Sequence, residues 1–562
     1  MRGSDHWYKN SVMYAVDVER FNDSDGDGIG DFPGLTNRLD YISRLGVDCL
    51  WLLPFYPTPN RDNGYDVMDY YEVDDRLGDL GDFAEFLNEA GSRGIRVIVD
   101  LVVNHTSDQH PWFQEAREDP DSKYRDYYVW VDDPDEADVE AETVFPGQEE
   151  SVWSYDEVAD AYYFHKFYGF EPGLNISNPD VRDEIRSIMG YWLRLGVDGF
   201  RFDAAAHMIG PKGLESKRPD DPHGVLRNFR RFVTKRKGDA VLLGEVDVAP
   251  NRLGEYFGDG DGDELTMLFN FLLDNYLFLG LARENMEPIV EGIRLLPTVP
   301  TEGQWVNFLR NLDELDLGRL TESEREDVFE AFAPEEEMRI YGRGIRRRLA
   351  PMLDGDERRI RMAFSLLFSM PGTPMFVYGD EIGMGEDLSQ AGRTAVRTPM
   401  QWANEENAGF SDAPADDLVL PVVEEGQFGH DRVNVTDQEF DPDSLFNWMQ
   451  RLVALRKENP ELGWGKFDLL ETEEPGVIIH RCRWDGTGVL AIHNLADEET
   501  DVTFSLPGDP RLVDVFANRQ YDPLDSAESD GYEFTIDPYG YRWSRLRSAK
   551  ATGKSGWQDV GQ

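Results

Sequence analysis

Short runs of apolar, β-branched residues recur along most of this chain, each followed by a longer stretch with apolar positions three and four apart. The runs begin at Ser11 (SVMYAVDVERF), Val47 (VDCLWLLPF), Ile95 (IRVIVDLVVNH), Val197 (VDGFRFDAA), Ala240 (AVLLGEV), Leu265 (LTMLFNFLL), Gln304 (QWVNFLRNLDE) and Gly372 (GTPMFVYGDE). Nearly continuous apolar runs mark strands buried on both faces. The intervening stretches read as helices: in NPDVRDEIRSIMGYWLRLG, Val181, Ile185, Ile188, Trp192 and Leu195 fall on one face. Eight β/α units predict an α/β fold, a closed (β/α)8 or TIM barrel, over 1–105 and 173–462. The segment 106–172, rich in Asp, Glu, Tyr and Trp, is too long for a β/α loop and predicts an inserted subdomain after strand 3. From residue 463 to 548 the period shortens to two, with turn dipeptides between runs, which predicts a C-terminal antiparallel β-sandwich domain. Residues 549–562 read as a flexible tail.

Charge changes the picture. The chain has 56 Lys and Arg against 110 Asp and Glu, a net charge of −54. Nucleic acids and anionic membrane surfaces need clustered basic residues, so neither is expected as a partner. A surface this acidic repels itself in dilute buffer and is screened at molar salt, where the Debye length is ~3 Å. It predicts a salt-rich setting. No secretory signal precedes the first strand and no apolar run reaches about 18 residues, so a cytoplasmic protein is expected. Homo-oligomerisation stays open. Cys49 and Cys482 each lie in a strand-like run and read as packing residues.

Candidate chemistry lies where barrel strands end in polar residues, because active sites of such barrels form at the carboxyl ends of the strands. DLVVNH brings Asp100, Asn104 and His105; GFRFDAA brings Arg201 and Asp203; LLGEVD brings Glu245; FLRNLDE brings Asn311, Asp313 and Glu314. Retaining glycoside cleavage needs a carboxylate nucleophile and a carboxyl acid/base about 5–5.5 Å apart. Asp203 and Glu245, on neighbouring strands, suit that spacing. Arg201, two residues before Asp203, projects from the same side of its strand and is expected to keep Asp203 ionised. The turn DSDGDGIGD places Asp23, Asp25, Asp27, the Ile29 carbonyl and Asp31 at a spacing suited to Ca²⁺ or Mg²⁺, though Gly34 at its twelfth position excludes an EF-hand.

These motifs, in this order and spacing, resemble the α-amylase family of glycoside hydrolases. The resemblance implies Asp203 as nucleophile, Glu245 as general acid/base and Asp313 as transition-state stabiliser. His105 and Arg201 would contact the reacting glucose, while Tyr65, Asp66 and Arg397 would grip it in members that act on short saccharides. It also implies a structural Ca²⁺ or Mg²⁺ in the acidic turn and no organic cofactor. Longer stretches, among them WLLPFYPTPNRDNGYDVMDY, PGTPMFVYGDEIGMGEDL and VRTPMQW, are similar to the trehalose synthase branch, whose substrates are maltose and trehalose. The alternatives are an α-glucosidase or amylase-like hydrolase of short α-glucosides, and a non-catalytic sugar-binding protein. Two positions depart from the family pattern: Leu312 stands where a His is usual, and Gly173 where an Asp often joins Asn104 in holding a second Ca²⁺. The segment after Asp203, AAAHMIGPKGLESKRPDDPHG, also diverges from that branch, on the acceptor side.

Overall fold

The computed structural model describes residues 6–139, 143–145, 148–260, 262–507, 510–524 and 531–547. The expected tail at 549–562 lies outside them. Eight parallel strands close into a barrel: Met13–Val16, Cys49–Leu52, Arg96–Leu101, Gly199–Phe202, Val241–Gly244, Met267–Phe269, Gln304–Asn307 and Thr373–Val377. Each lies inside one of the eight apolar runs. Neighbours in space are neighbours in sequence, and the circle closes where Met13 pairs with Met375. Almost every strand residue is buried, as a sheet covered on its outer face by helices requires.

The helices have local causes. Pro179–Leu195 starts at Asn178, whose side chain accepts from the Asp180 amide, with Pro at the first helical position, and ends at Gly196 with φ +128°. Its face of Val181, Ile185, Ile188 and Trp192 is buried, and the Trp192 indole donates to the Tyr70 carbonyl at 2.8 Å.

The segment 106–172 holds a three-stranded antiparallel sheet, Trp130–Val131, Ala161–Phe164 and Trp153–Asp156 in spatial order, with its own core of Val129, Val152, Trp153 and Phe164. At the C-terminal end, a five-stranded sheet (Lys466–Leu469, Val477–Trp484, Thr487–Asn494, Tyr541–Arg547, Arg511–Ala517) faces the pair Thr500–Phe504 and Tyr532–Ile536. Period two decides its two faces. Val477 and Ile479 enter the sandwich core, while Ile478, His480 and Cys482 turn to the barrel, where the His480 and His493 rings meet Ser369 and Ser365 on helix Glu357–Ser369, each at 2.9 Å. Both cysteines are buried and unpaired. No helix among the described residues is long and apolar enough to cross a membrane.

Candidate active site

Asp203, Glu245 and Asp313 line one cavity of about 300 Å³ at the carboxyl end of the barrel, with Tyr65, His105 and Arg201. Adjacent strands set the cluster: Asp100 is in register with Arg201, and Arg201 with Leu243, two residues before Glu245. The Arg201 guanidinium then meets three carboxylates. Its Nη1 donates to Asp100 Oδ1 (2.8 Å) and Asp203 Oδ1 (2.7 Å), and its Nη2 to Glu245 Oε2 (2.5 Å). Two carboxylates served by one guanidinium fork suit the short retaining separation of ~5–5.5 Å better than the ~6.5–9.5 Å of inverting enzymes. Directly after the nucleophile candidate, Ala204 takes φ +44°, which turns its amide onto Glu245 Oε2 at 3.2 Å.

Burial separates the titrations. It pushes Asp203 up to about 6 against the pull of Arg201, and Glu245 up to about 7, with Arg201 opposing and the Asp203 charge reinforcing the rise. Arg201 therefore offsets only part of the desolvation at Asp203, and ionisation near neutrality follows from the balance. Asp313 behaves differently. Burial would raise it, but Arg393, Arg397 and Arg201 hold it below its ordinary value. His105 is buried and pushed down to about 3, so its ring is neutral, with Nε2 3.2 Å from the Tyr65 carbonyl.

Several expected positions are placed otherwise. Asp66 does not reach the cavity; it is fully buried and organises its own loop, accepting from Thr58 Oγ1 (2.8 Å), the Asp62 amide (3.2 Å) and Arg61 Nε (3.3 Å). Asp62, four residues earlier, lines the cavity instead, in the field of Arg393 and Arg397. Arg397 is completely enclosed and acts on Asp313: Nη2 to Oδ1 at 2.8 Å, with Nε donating to the Leu312 carbonyl at 2.9 Å. Arg393 is the arginine exposed to the cavity, 3.3 Å from Asp313 and 2.8 Å from Glu314. In AGRTAVRTPMQW both arginines stand in view; only their depth in the fold separates them. Asp313 sits not on the seventh strand, which ends at Asn307, but six residues beyond it in a loop.

That loop is pinned by guanidinium groups because it is strained. Leu312 is buried with φ +72°, a conformation costing a β-carbon residue about 1–3 kcal/mol. Arg397 holds its carbonyl and Arg310 Nη2 holds the Asp313 carbonyl at 2.5 Å. The leucine side chain packs into the core and gives the sugar no donor.

In the acidic turn, Asp23, Asp25 and Asp27 bring carboxylate oxygens within 4.8 Å of one another. Burial, offset by the Ile29 amide and reinforced by the charges of Asp25, Asp23 and Asp31, raises Asp27, a repulsion a divalent cation would relieve. Asp31 is outside that trio: it accepts from the Gly34 amide (2.6 Å) as helix cap and from Ser24 N and Oγ (2.9 and 3.0 Å). Around Gly173, which bridges to His105, the Asn104 Oδ1 that a second Ca²⁺ would use accepts instead from the buried Lys212 Nζ at 2.6 Å.

The comparisons agree with this geometry. The α-amylase catalytic domain matches residues 16–289 and 345–465, and the C-terminal domain of sucrose hydrolase-like proteins matches 486–545. A trehalose synthase/amylase of Mycolicibacterium smegmatis is 40% identical over 96% of this chain and 93% of its own length. A trehalose synthase of Pimelobacter sp. is 39% identical over 98% and 97%. Among solved structures, the trehalulose synthase of Pseudomonas mesoacidophila MX-45 superposes with a TM-score of 0.75 at 26% identity, over 96% of this chain and 99% of that one. With paired carboxylates at the mouth of the barrel, the barrel itself and the sequence in accord, the chain belongs to the α-amylase family.

Proposed function

We propose that this enzyme interconverts maltose and trehalose by intramolecular glucosyl transfer. The observation that carries the reading is the pair Asp203 and Glu245 on one guanidinium inside one cavity, in a chain about 40% identical to trehalose synthases along nearly its whole length. Asp203 attacks C1 of the non-reducing glucose, and Glu245 gives its proton to O4 of the departing glucose as the C1–O4 bond breaks. The freed glucose turns within the cavity. Glu245, now a carboxylate, takes the proton from its anomeric hydroxyl, and that oxygen attacks C1, displacing Asp203 and leaving an α,α-1,1 bond. Asp313, kept ionised by Arg393 and Arg397, faces the charge that develops on the sugar ring.

The −54 charge supports a salt-rich cytoplasm as the working setting. One assay covers both readings: maltose with purified enzyme, in molar KCl and in dilute buffer, products separated by chromatography. Trehalose as main product in KCl, with activity lost on dilution, is the expected result. Mainly glucose would make the enzyme a hydrolase; full activity in dilute buffer would sink the salt reading.

A divalent cation, Ca²⁺ or Mg²⁺, would be held by Asp23, Asp25, Asp27, the Ile29 carbonyl and Asp31, and would add structural stability to a loop whose Asp23 already accepts from the Gly28 amide and Ser411 Oγ. A chelator is expected to lower Tm by about 1 °C for each ~1 kcal/mol the cation contributes, the scale set by ~2.1 cal/mol/K per residue over a domain of this size. The same drop with Asp25→Ala, made insensitive to chelator, identifies the site; a chelator effect that persists in Asp25→Ala refutes it.

A further inference from the structure

We propose that two acid–guanidinium pairs, Asp247–Arg319 and Asp316–Arg343, form the acceptor wall that holds the released glucose and keeps water off the glucosyl-enzyme; this rests on the isomerase reading. All four side chains line the catalytic cavity, and none takes part in the bond-breaking steps above. Asp247 follows Glu245 by two residues, so the wall begins beside the acid/base. Arg319 Nε donates to Asp247 Oδ1 at 2.7 Å, and Arg343 Nε to Asp316 Oδ2 at 2.7 Å.

Exposure groups these pairs with Glu245, whose side chain is 30% exposed, and apart from the enclosed Asp100 and Asp203. The Asp100 and Asp203 side chains are 0% and 10% exposed, whereas Asp247, Arg319, Asp316 and Arg343 are 58%, 22%, 29% and 33% exposed. They keep lone pairs and N–H groups open to a ligand. Their backbone is nonetheless fixed: buried Asn275, on helix Phe271–Arg283, donates to the Asp316 carbonyl (2.8 Å) and accepts from the Arg319 amide (3.2 Å). Arg343 also reaches the inserted segment 106–172, where Nη2 donates to the Val144 carbonyl at 3.4 Å. Next to it the Phe145 ring packs on Tyr341, centroids 5.1 Å apart.

Such a wall fits the hardest demand of the reaction. The freed glucose must present O4 to C1 at cleavage and O1 at re-attack, and must stay bound between the two. Alternating carboxylate acceptors and guanidinium donors can pair with sugar hydroxyls, each both donor and acceptor, in either orientation.

The experiment is the ratio of free glucose to trehalose formed from maltose, a quantity independent of how much enzyme is folded. Arg319→Gln and Arg343→Gln are each expected to raise it about tenfold, because a site built to bind hydroxyls loses at least that much when a partner is removed. Arg319→Lys should recover part of the change. An unchanged ratio in both variants overturns the wall while leaving the isomerase reading intact. Wild-type enzyme that gives only glucose overturns the isomerase reading; the wall is then read from competitive inhibition by glucose, whose KI should rise about tenfold in Arg319→Gln, an unaltered KI overturning it.

Discussion

Asp203→Asn should lose about four to six powers of ten in kcat, the scale on which removal of a covalent nucleophile is felt. The amide is nearly isosteric with the carboxylate, so the fold around it should persist. Arg201 keeps two ionic partners, Asp100 and Glu245, and one of three crowded acids becomes neutral. Tm should therefore hold or rise while turnover disappears. The measurement pairs thermal unfolding with initial rates on maltose. A variant keeping more than about one hundredth of wild-type kcat would remove Asp203 from the nucleophile's role.

The second large effect concerns Glu245 and pH. Cleavage needs Asp203 ionised and Glu245 protonated. Asp203, raised to about 6, loses its charge as pH falls through that value; Glu245, raised to about 7, loses its proton as pH rises through that one. The kcat/KM profile for maltose should then be a narrow bell between about 6 and about 7, its limbs belonging to the coupled pair rather than to either residue. Glu245→Gln should cost ~10²–10⁴ in maltose turnover. With an aryl α-glucoside, whose leaving group needs no proton, the first step should survive in that variant and lose its alkaline limb. An alkaline limb that persists there would mean another group supplies the proton.

How much of this was legible in the sequence depended on where a residue sits. The eight strands stood out because burial on both faces leaves little room for polar residues, and Asp203 and Glu245 were legible because a carboxylate directly after such a run has only the barrel mouth to enter. Loops carry no comparable pattern. RDNGYD offers two aspartates, and only the folded loop turns Asp62 to the cavity and Asp66 inward to Thr58 and Arg61. Likewise AGRTAVRTPMQW does not disclose that Arg393 faces the cavity while Arg397 props Asp313 from behind. Asp31 has the spacing of a ligand and also caps helix Phe32–Asn37 through the Gly34 amide, a second role that spacing alone does not disclose. Asp247, Asp316, Arg319 and Arg343 were hidden by abundance: in a chain with 166 acidic and basic residues, four more outside the barrel strands carry no pattern of their own.

The closure of the barrel between Met13 and Met375 has a consequence for how the enzyme comes into being. As the chain leaves the ribosome, each new strand finds its partner already made, so the first seven can line up in order. The sheet is then an open fence with two unpaired edges. Only when the eighth strand arrives, after more than three hundred and fifty residues of waiting, does the first strand gain its second neighbour. Arg393 and Arg397, which hold Asp313 in place, follow later still. Asp203 and Glu245 are thus synthesised well before the segment that seals the ring and the arginines behind it, and the complete cavity waits for both.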